Sequence, residues 1–487
     1  MSIFWFIALV NLLLVATVIA TSPLQGLSRL LSPDTQLVVT VFAIFSIRPL
    51  FGQRFQPSED IYYRGFYGFV PTREGQMMAS LVGVLLLVGI TIGALLFSTA
   101  KISRVPKSDL SPIPSQDEAN SNSEKLPYVR ALIGTVVALA IYFATMVAYL
   151  GVDRVLAMSR GRSTTSVPQG LPEIVGVVPL AGSIAAATII LMARCKPIAF
   201  GAWMSIMCCT AMSLVTVAQL GARRFMIPSV LIVLTAMLMR KSVKLRPWHL
   251  ATAFSAVVIL AIIPYVRSEG NRHGRNLVEA IAHFFGDVGL FRSLRNIFTT
   301  YDTEMYDYIA VLAPRLASGR AEYGFGAGTL LEFITHPLPA GVLENVERSN
   351  EIRSYIFNYS CGTSCGLPFP VPSLGGVLFF DGWYAGVIFG GILAGVVTRS
   401  LALRWFRAET NTVAQNVFTA VFVSYVGIAA RTETVYVIWH ALYTAIIAAA
   451  VLVTLGQKIF PSGMNTSKST GYASSTRGTG PRNSWPS

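Results

Sequence analysis

Eleven runs of predominantly apolar residues set the terms for what this 487-residue chain can fold into. A helix that crosses the hydrocarbon core of a bilayer needs ~20 such residues, because every backbone polar group must be satisfied within the segment. The runs lie at 2–20, 35–50, 76–98, 129–150, 174–193, 198–218, 225–239, 248–266, 383–403, 413–430 and 434–456. Only 13% of the residues are charged and 53% are hydrophobic, against roughly 25% charged in a soluble domain. That deficit excludes a nucleic-acid binder, a disordered tail protein and an ordinary cytosolic enzyme. The expected fold is an all-α polytopic integral membrane protein with about 11 transmembrane helices. The first run opens Met1-Ser2-Ile3 without a basic flank, so it reads as a retained span rather than a signal peptide.

The basic residues orient the spans. With the N-terminus outside and the C-terminus inside, all eight lysines fall on the inner side, at 101, 107, 125, 196, 241, 244, 458 and 468. The reverse topology would put every lysine outside, against the positive-inside bias. The basic residues of the outer segments are then all arginines. GC-rich coding and membrane anchoring favour arginine in general. A second reading is that the outer face handles phosphate, since the planar guanidinium fork pairs bidentately with phosphate oxygens while lysine offers a point charge.

This topology divides the chain into an N-terminal bundle over 1–266 and a large extracytoplasmic loop over 267–382. C-terminal spans follow over 383–456 and a polar cytoplasmic tail over 457–487. Residues 104–127 are Pro/Ser-rich and aperiodic, as expected of a disordered cytoplasmic loop. The large loop has a different character. It holds half of the acidic residues and three of the five histidines. Leu277, Ile281, Phe284, Val288, Phe291, Leu294 and Phe298 recur there at helical steps. That stripe predicts an amphipathic helix, lying on the membrane surface or packed in the loop's own core. Cys361 and Cys365 in the same loop allow a disulfide or two free thiols.

Several arginines close spans at the outer level: Arg48, the pair Arg223 and Arg224, Arg267, and Arg431. Each is an interface anchor or a member of a ring suited to a lipid-linked phosphate or diphosphate. General-base types in the loop are Glu269, His273, His283, Asp302, Glu304, His336, Glu344 and Asp381. Neither zinc-ligand spacing, a phosphate-binding glycine loop with lysine, nor a Gly-x-Ser-x-Gly elbow occurs.

From Gly221 to Arg431 the order of short motifs resembles the O-antigen and repeat-unit polymerases, the Wzy-type family. The matching elements are Gly221-Ala222-Arg223-Arg224, Tyr265-Val266-Arg267, and Tyr301-Asp302-Thr303-Glu304 with a helix to Pro314. Glu322-Tyr323-Gly324-Phe325-Gly326-Ala327-Gly328 and Pro337-Leu338-Pro339 follow. Pro372-Ser373 and Asp381-Gly382-Trp383-Tyr384, with Gly386 opening a span, complete the order. His336 stands where arginine is expected and Asp381 where glutamate is commoner. The resemblance implies a metal-independent glycosyltransferase of the C-type class, without a cofactor, in the inner membrane of a bacterium. Such an enzyme moves a growing glycan from one polyprenyl diphosphate onto another carrier-linked repeat unit, with a chain-length regulator and a flippase as partners. It implies Arg223, Arg224, Arg267, Arg48 and Arg431 as diphosphate ligands and His336, Glu269 and Asp381 as candidate bases. Tyr384 and Ser373 would be hydrogen-bond donors to substrate.

Three other readings compete. A ligase would move the finished glycan onto another acceptor. A transferase using polyprenyl monophosphate sugars would use the acidic pair Glu59-Asp60 in the first outer loop. A transporter or flippase would place charges at mid-depth within spans.

Overall fold

A computed structural model of the chain describes residues 2–52, 72–102, 126–153, 155, 173–193, 198–219, 223–240, 282, 286, 305–319, 323–337, 373–432, 434–457 and 459. Among the described residues there are helices and no strands. In chain order the helices are α1 (Ser2–Ala20), α2 (Gly26–Leu30), α3 (Pro33–Phe42), α4 (Arg48–Gly52), α5 (Arg73–Ile102) and α6 (Leu126–Leu150). Next come α7 (Glu173–Val177), α8 (Ala181–Met192), α9 (Phe200–Gln219), α10 (Arg223–Arg240), α11 (Met305–Ala317) and α12 (Glu332–Thr335). The last three are α13 (Ser373–Phe406), α14 (Val413–Arg431) and α15 (Thr434–Thr454).

Eight helical segments of the described chain are long and apolar enough to cross a membrane, and α10 is a shorter apolar helix with Pro228 inside it. The expected span at 248–266 lies outside the described residues. So do residues 104–125 of the expected loop, the tail apart from Gln457 and Ile459, and the 277–298 stripe apart from Ala282 and Gly286, while residues 126–127 open α6. The expected span 35–50 is a composite: α3 passes through a π-turn over Ala43–Ile47 directly into α4. Ser32 caps α3, its hydroxyl accepting from the Thr35 amide, with Pro33 pre-set in the first turn.

An all-round apolar helix is either central or lipid-facing, and both cases occur. From Ala181 to Leu191 every residue of α8 is buried. Its small side chains let neighbours close in, and Ser183 meets Ser229 of α10 at 2.6 Å and Ser213 of α9 at 3.1 Å. The Ser213 hydroxyl donates to the Pro179 carbonyl at 2.6 Å. A polar node of this kind joins apolar helices where there is no hydrophobic drive between them. α1, by contrast, turns Trp5, Phe6, Leu9 and Leu13 outward and Asn11 inward, where Asn11 donates to Ser46 at 2.8 Å.

Glycines bring α5 and α13 together. A Cβ at Gly89 would stand 2.5 Å from the Ile388 carbonyl oxygen, and one at Gly93 would stand 2.1 Å from that of Ile392. From the other side, Cβ atoms at Gly391 and Gly395 would meet the carbonyl oxygens of Leu86 and Ile90 at 2.8 and 2.2 Å. Each helix contributes a Gly-xxx-Gly pair, and the two helices run in the same direction with backbones in contact.

α13 is not one straight rod. Gly382 (φ −147°) and Trp383 (φ +54°) leave helical geometry. In a continuous helix Leu378 and Gly390 would lie roughly 18 Å apart. Here a Cβ at Gly390 would stand 2.4 Å from the Leu378 side chain. The arm Ser373–Asp381 therefore folds back along the rest of α13. The expected span at 383–403 begins at this kink, and residues 373–381 before it form a buried helical arm.

Arg399 is fully buried in α13 and paired with the equally buried Asp34 of α3 at 2.9 Å. Hydropathy alone sees a basic residue near the end of a run. Only the packing of α1, α3 and α13 shows that it points inward.

Candidate functional site

Two ends of the bundle can be distinguished from contacts alone. Asp34, in the first turn of α3, lies beside Arg399 in the last part of α13. The turn after α13 bonds back to it, Asn411 donating to the Arg404 carbonyl at 2.9 Å. Thr412 then opens α14 with a reciprocal capping box with Gln415. α3 and α14 thus leave the same end side by side, with Gly427 facing Thr40 and Gln36. Their far ends carry Arg48 and Arg431.

At that far end Arg48, nearly buried, meets Asp307 of α11 with Nη2 to Oδ2 at 2.5 Å. The neighbouring Tyr306 holds α11 to the start of α5. Its hydroxyl donates to the Gln76 carbonyl at 2.7 Å and lies 2.9 Å from the Ser80 hydroxyl. Burial raises the Tyr306 hydroxyl above its ordinary range, against a smaller pull from the Ser80 hydrogen bond, so it stays a neutral donor. A Cβ at Gly75 would stand 1.8 Å from the Ala310 carbonyl oxygen, so α11 rests directly on the α5 backbone.

The kink of α13 lies at the same end, and the Tyr323–Gly326 stretch covers it. The Gly324 amide donates to the Phe380 carbonyl at 2.9 Å. A side chain there would collide with the Phe380 ring at 2.1 Å and with Asp381 Oδ1 at 2.8 Å. The Tyr323 ring stands edge-on to Phe379 at 6.3 Å, and Phe379 packs on Tyr384 at 5.1 Å. Two segments nearly 60 residues apart in sequence thereby form one surface, with Asp381, Tyr384 and the half-exposed Trp383 on it. Ser373 is different: it is fully buried, and its hydroxyl accepts from the Gly376 amide at 3.5 Å. It serves the start of the folded-back arm.

The third element is aromatic. α15 begins just after Arg431. Its Trp439 Nε1 donates to the Phe333 carbonyl at 2.9 Å, and the Phe333 and Trp439 rings stack at 5.2 Å. This docks α12 and places His336 edge-on to Tyr436 at 5.4 Å. Tyr436 packs on His440 at 4.1 Å, and His440 on Phe225 at 5.4 Å. His440 Nδ1 lies 2.8 Å from the Tyr436 carbonyl, which requires the proton on that nitrogen. Phe225 sits in the first turn of α10, which opens with Arg223 and Arg224.

Four of the five arginines singled out from sequence, Arg48, Arg223, Arg224 and Arg431, therefore belong to helix ends at one end of the bundle. His336, Asp381 and Tyr384 share that end. Arg267, Glu269, Glu59-Asp60, Cys361 and Cys365 lie outside the described residues. Among the described residues no group of three or more His, Cys, Asp or Glu side chains could hold a metal ion. Sequence reasoning missed Asp307, Tyr306, Tyr323, Tyr436 and Trp439. Asp307 sits in a helix that had already been anticipated, but nothing in its spacing names Arg48 as the partner.

The helices and their apolar faces define a multi-pass membrane protein. The chain belongs to the O-antigen polysaccharide polymerase Wzy family, whose model matches residues 2–462, nearly its whole length. No curated protein and no solved structure is significantly similar to it. Membership makes it a polymerase of the glycosyltransferase type, in a family that builds polysaccharide from lipid-linked oligosaccharide repeat units.

Proposed function

We propose that this protein polymerises polyprenyl-diphosphate-linked repeat units into a surface polysaccharide at the outer face of a bacterial inner membrane. The Arg48 end of the bundle is the outer end in this reading, as the lysine distribution requires. The eleven spans and the 267–382 loop complete the architecture, and a flippase and a chain-length regulator supply and limit the substrate.

The observation that most supports the reading is that the helix ends bearing Arg48, Arg223, Arg224 and Arg431 lie at the same end of the bundle as His336 and the Asp381–Tyr384 kink, from positions spread between 48 and 431. In the transfer, an acceptor sugar hydroxyl attacks the anomeric carbon of the donor. The bond from that carbon to the diphosphate oxygen breaks, and the hydroxyl proton passes to a base. Diphosphate is a good leaving group once its charge is met, and fixed guanidinium groups meet it without a metal. Arg223, Arg224 and Arg267 are the primary ligands, with Arg48 and Arg431 beside them. His336 is the first candidate base, then Glu269 and Asp381. Its ring is held by Tyr436 and Trp439, which gives a base a defined orientation.

The test is surface glycan from cells carrying Arg223→Ala or Arg267→Ala, with the level of protein in the membrane measured beside it. Loss of long polymer, with a single carrier-linked repeat remaining and protein level held, is the expected result. Finished polymer accumulating on its carrier would identify a ligase instead. Unchanged glycan in both variants would overturn the diphosphate assignment.

A further inference from the structure

The Asp34–Arg399 pair lies at the end of the bundle opposite the candidate site, and neither side chain is exposed at all. The Arg399 fork ties α13 to the end of α1 and to α3. Nη1 donates to the Thr21 carbonyl at 2.8 Å, while Nη2 donates to the Thr21 hydroxyl at 3.0 Å and the Val18 carbonyl at 3.4 Å. Asp34 Oδ1 accepts from the Thr35 amide at 3.1 Å and from the hydroxyls of Ser32 and Ser22. Arg399 Nε is buried and has no hydrogen-bond partner among the described residues.

Stability alone is a poor account of this cluster. Burying two charges costs several kcal/mol per ion, and an apolar pair of similar volume is often neutral or better. An unsatisfied Nε adds to that cost. What an ion pair with a planar fork does, and apolar packing does not, is define one rotation and one axial position for each helix it joins.

The helices it joins both lead to the candidate site. α3 continues through the π-turn into Arg48. Within that turn Phe45 is gripped by two glycines, its Cβ 2.3 Å from where a Cβ would stand on Gly83 and its Cζ 2.9 Å from one on Gly375. Ser46 is held by Asn11. A π-turn inserts a residue into the helix, turning everything beyond it by roughly 100° relative to an uninterrupted α-helix. The direction of Arg48 thus depends on the register in which α3 enters. α13 leads back from Arg399 through the glycine seam with α5 to Tyr384 and the kink.

We propose that Asp34 and Arg399 are positioning residues for the transfer reaction, a buried register lock that sets Arg48 and Tyr384 relative to each other from the opposite end of the bundle. The inference rests on the reading of Arg48 as a diphosphate ligand. A rigid core transmits such a constraint because packed helices have discrete arrangements rather than a continuous range.

The decisive variant is Asp34→Leu/Arg399→Met, which removes both charges and keeps the volume. Purified wild type and variant would be placed in lipid nanodiscs with carrier-linked repeat units extracted from cells lacking this protein. Folded fraction, kcat and KM are measured together. The expected result is a folded fraction like wild type, KM within about twofold, and kcat per folded molecule lower by about tenfold to 100-fold, the scale of a misplacement near 1 Å. An unchanged kcat per folded molecule overturns the proposal and leaves the pair a structural feature. If the double variant does not fold, Arg399→Lys decides: it keeps the charge and loses the fork, and wild-type kcat in it overturns the lock. Arg48→Ala is measured beside them. Wild-type turnover in Arg48→Ala refutes the diphosphate role itself, whereas its loss with an active Asp34→Leu/Arg399→Met refutes only the lock.

Discussion

Arg48 and Asp307 are 259 residues apart in sequence and 2.5 Å apart in the folded chain, with their side chains only 10% and 18% exposed. This contact ties the composite helix of residues 33–52 to α11, and it faces a guanidinium toward the end of the bundle where the candidate site lies. A largely buried carboxylate holds the arginine in place and also screens its charge. In the proposed reaction, a diphosphate at Arg48 would share the guanidinium with Asp307.

Asp307→Ala is expected to destabilise the protein by about 2–3 kcal/mol, because it leaves a largely buried guanidinium without its carboxylate. Thermal unfolding in detergent reads this directly. Arg48→Lys is expected to shorten the surface polymer even where the folded level holds, since a point charge cannot replace the fork.

Gly395→Val should abolish accumulation of folded protein. The added Cβ would meet the Ile90 carbonyl oxygen at 2.2 Å, and backbone cannot move aside as a side chain can, so a cost of about 3 kcal/mol or more is expected. Gly201→Ala is the matched control. A Cβ there meets nothing within 4 Å, and the change should stabilise by about 0.5–1 kcal/mol. Membrane levels should fall for Gly395→Val and hold for Gly201→Ala, whose unfolding temperature should rise.

Gly324→Ala bears on the candidate site rather than on the bundle. Its methyl would displace the Phe380 ring or push the Tyr323 strip off the kink. The expected outcome is a normal amount of protein in the membrane with little or no long polymer, read from surface glycan and immunoblot side by side. Wild-type polymer would detach the Tyr323–Gly326 strip from function.

Trp439→Phe keeps an aromatic ring but loses the hydrogen bond to the Phe333 carbonyl, worth about 1 kcal/mol net. That bond fastens α12, and with it His336, to α15. Limited proteolysis between α12 and Pro337 should speed up while the spans stay resistant, and polymer should shorten. Unchanged proteolysis would mean that ring stacking alone holds the segment.

Much of the architecture was legible in advance because a bilayer span announces itself locally. Runs such as 2–20 and 434–456 reappear as α1 and α15 within two residues. The motif order that resembles the Wzy family was equally readable, and the match over residues 2–462 agrees with it. Other features were not local. The 373–381 stretch precedes the apolar run that hydropathy starts at 383, yet it folds as a helix that packs against Phe45, with Leu378 folded back on Gly386 and Gly390. Arg399 reads as a flanking cation, and its burial depends on a carboxylate more than 360 positions away in the chain.

The amino-acid sequence by itself determined that this protein is a helical membrane polymerase, since hydropathy, lysine placement and short motifs are properties of neighbouring residues. Tertiary structure decided the partners: Arg48 with Asp307, Asp34 with Arg399, Gly324 with the Phe380–Asp381 turn, and His336 with Tyr436 and Trp439. Each pairing joins segments distant in the chain whose order of packing no single segment encodes. Close backbone approach at glycines and the high cost of an unpaired buried charge select one arrangement from the many that apolar helices alone would allow.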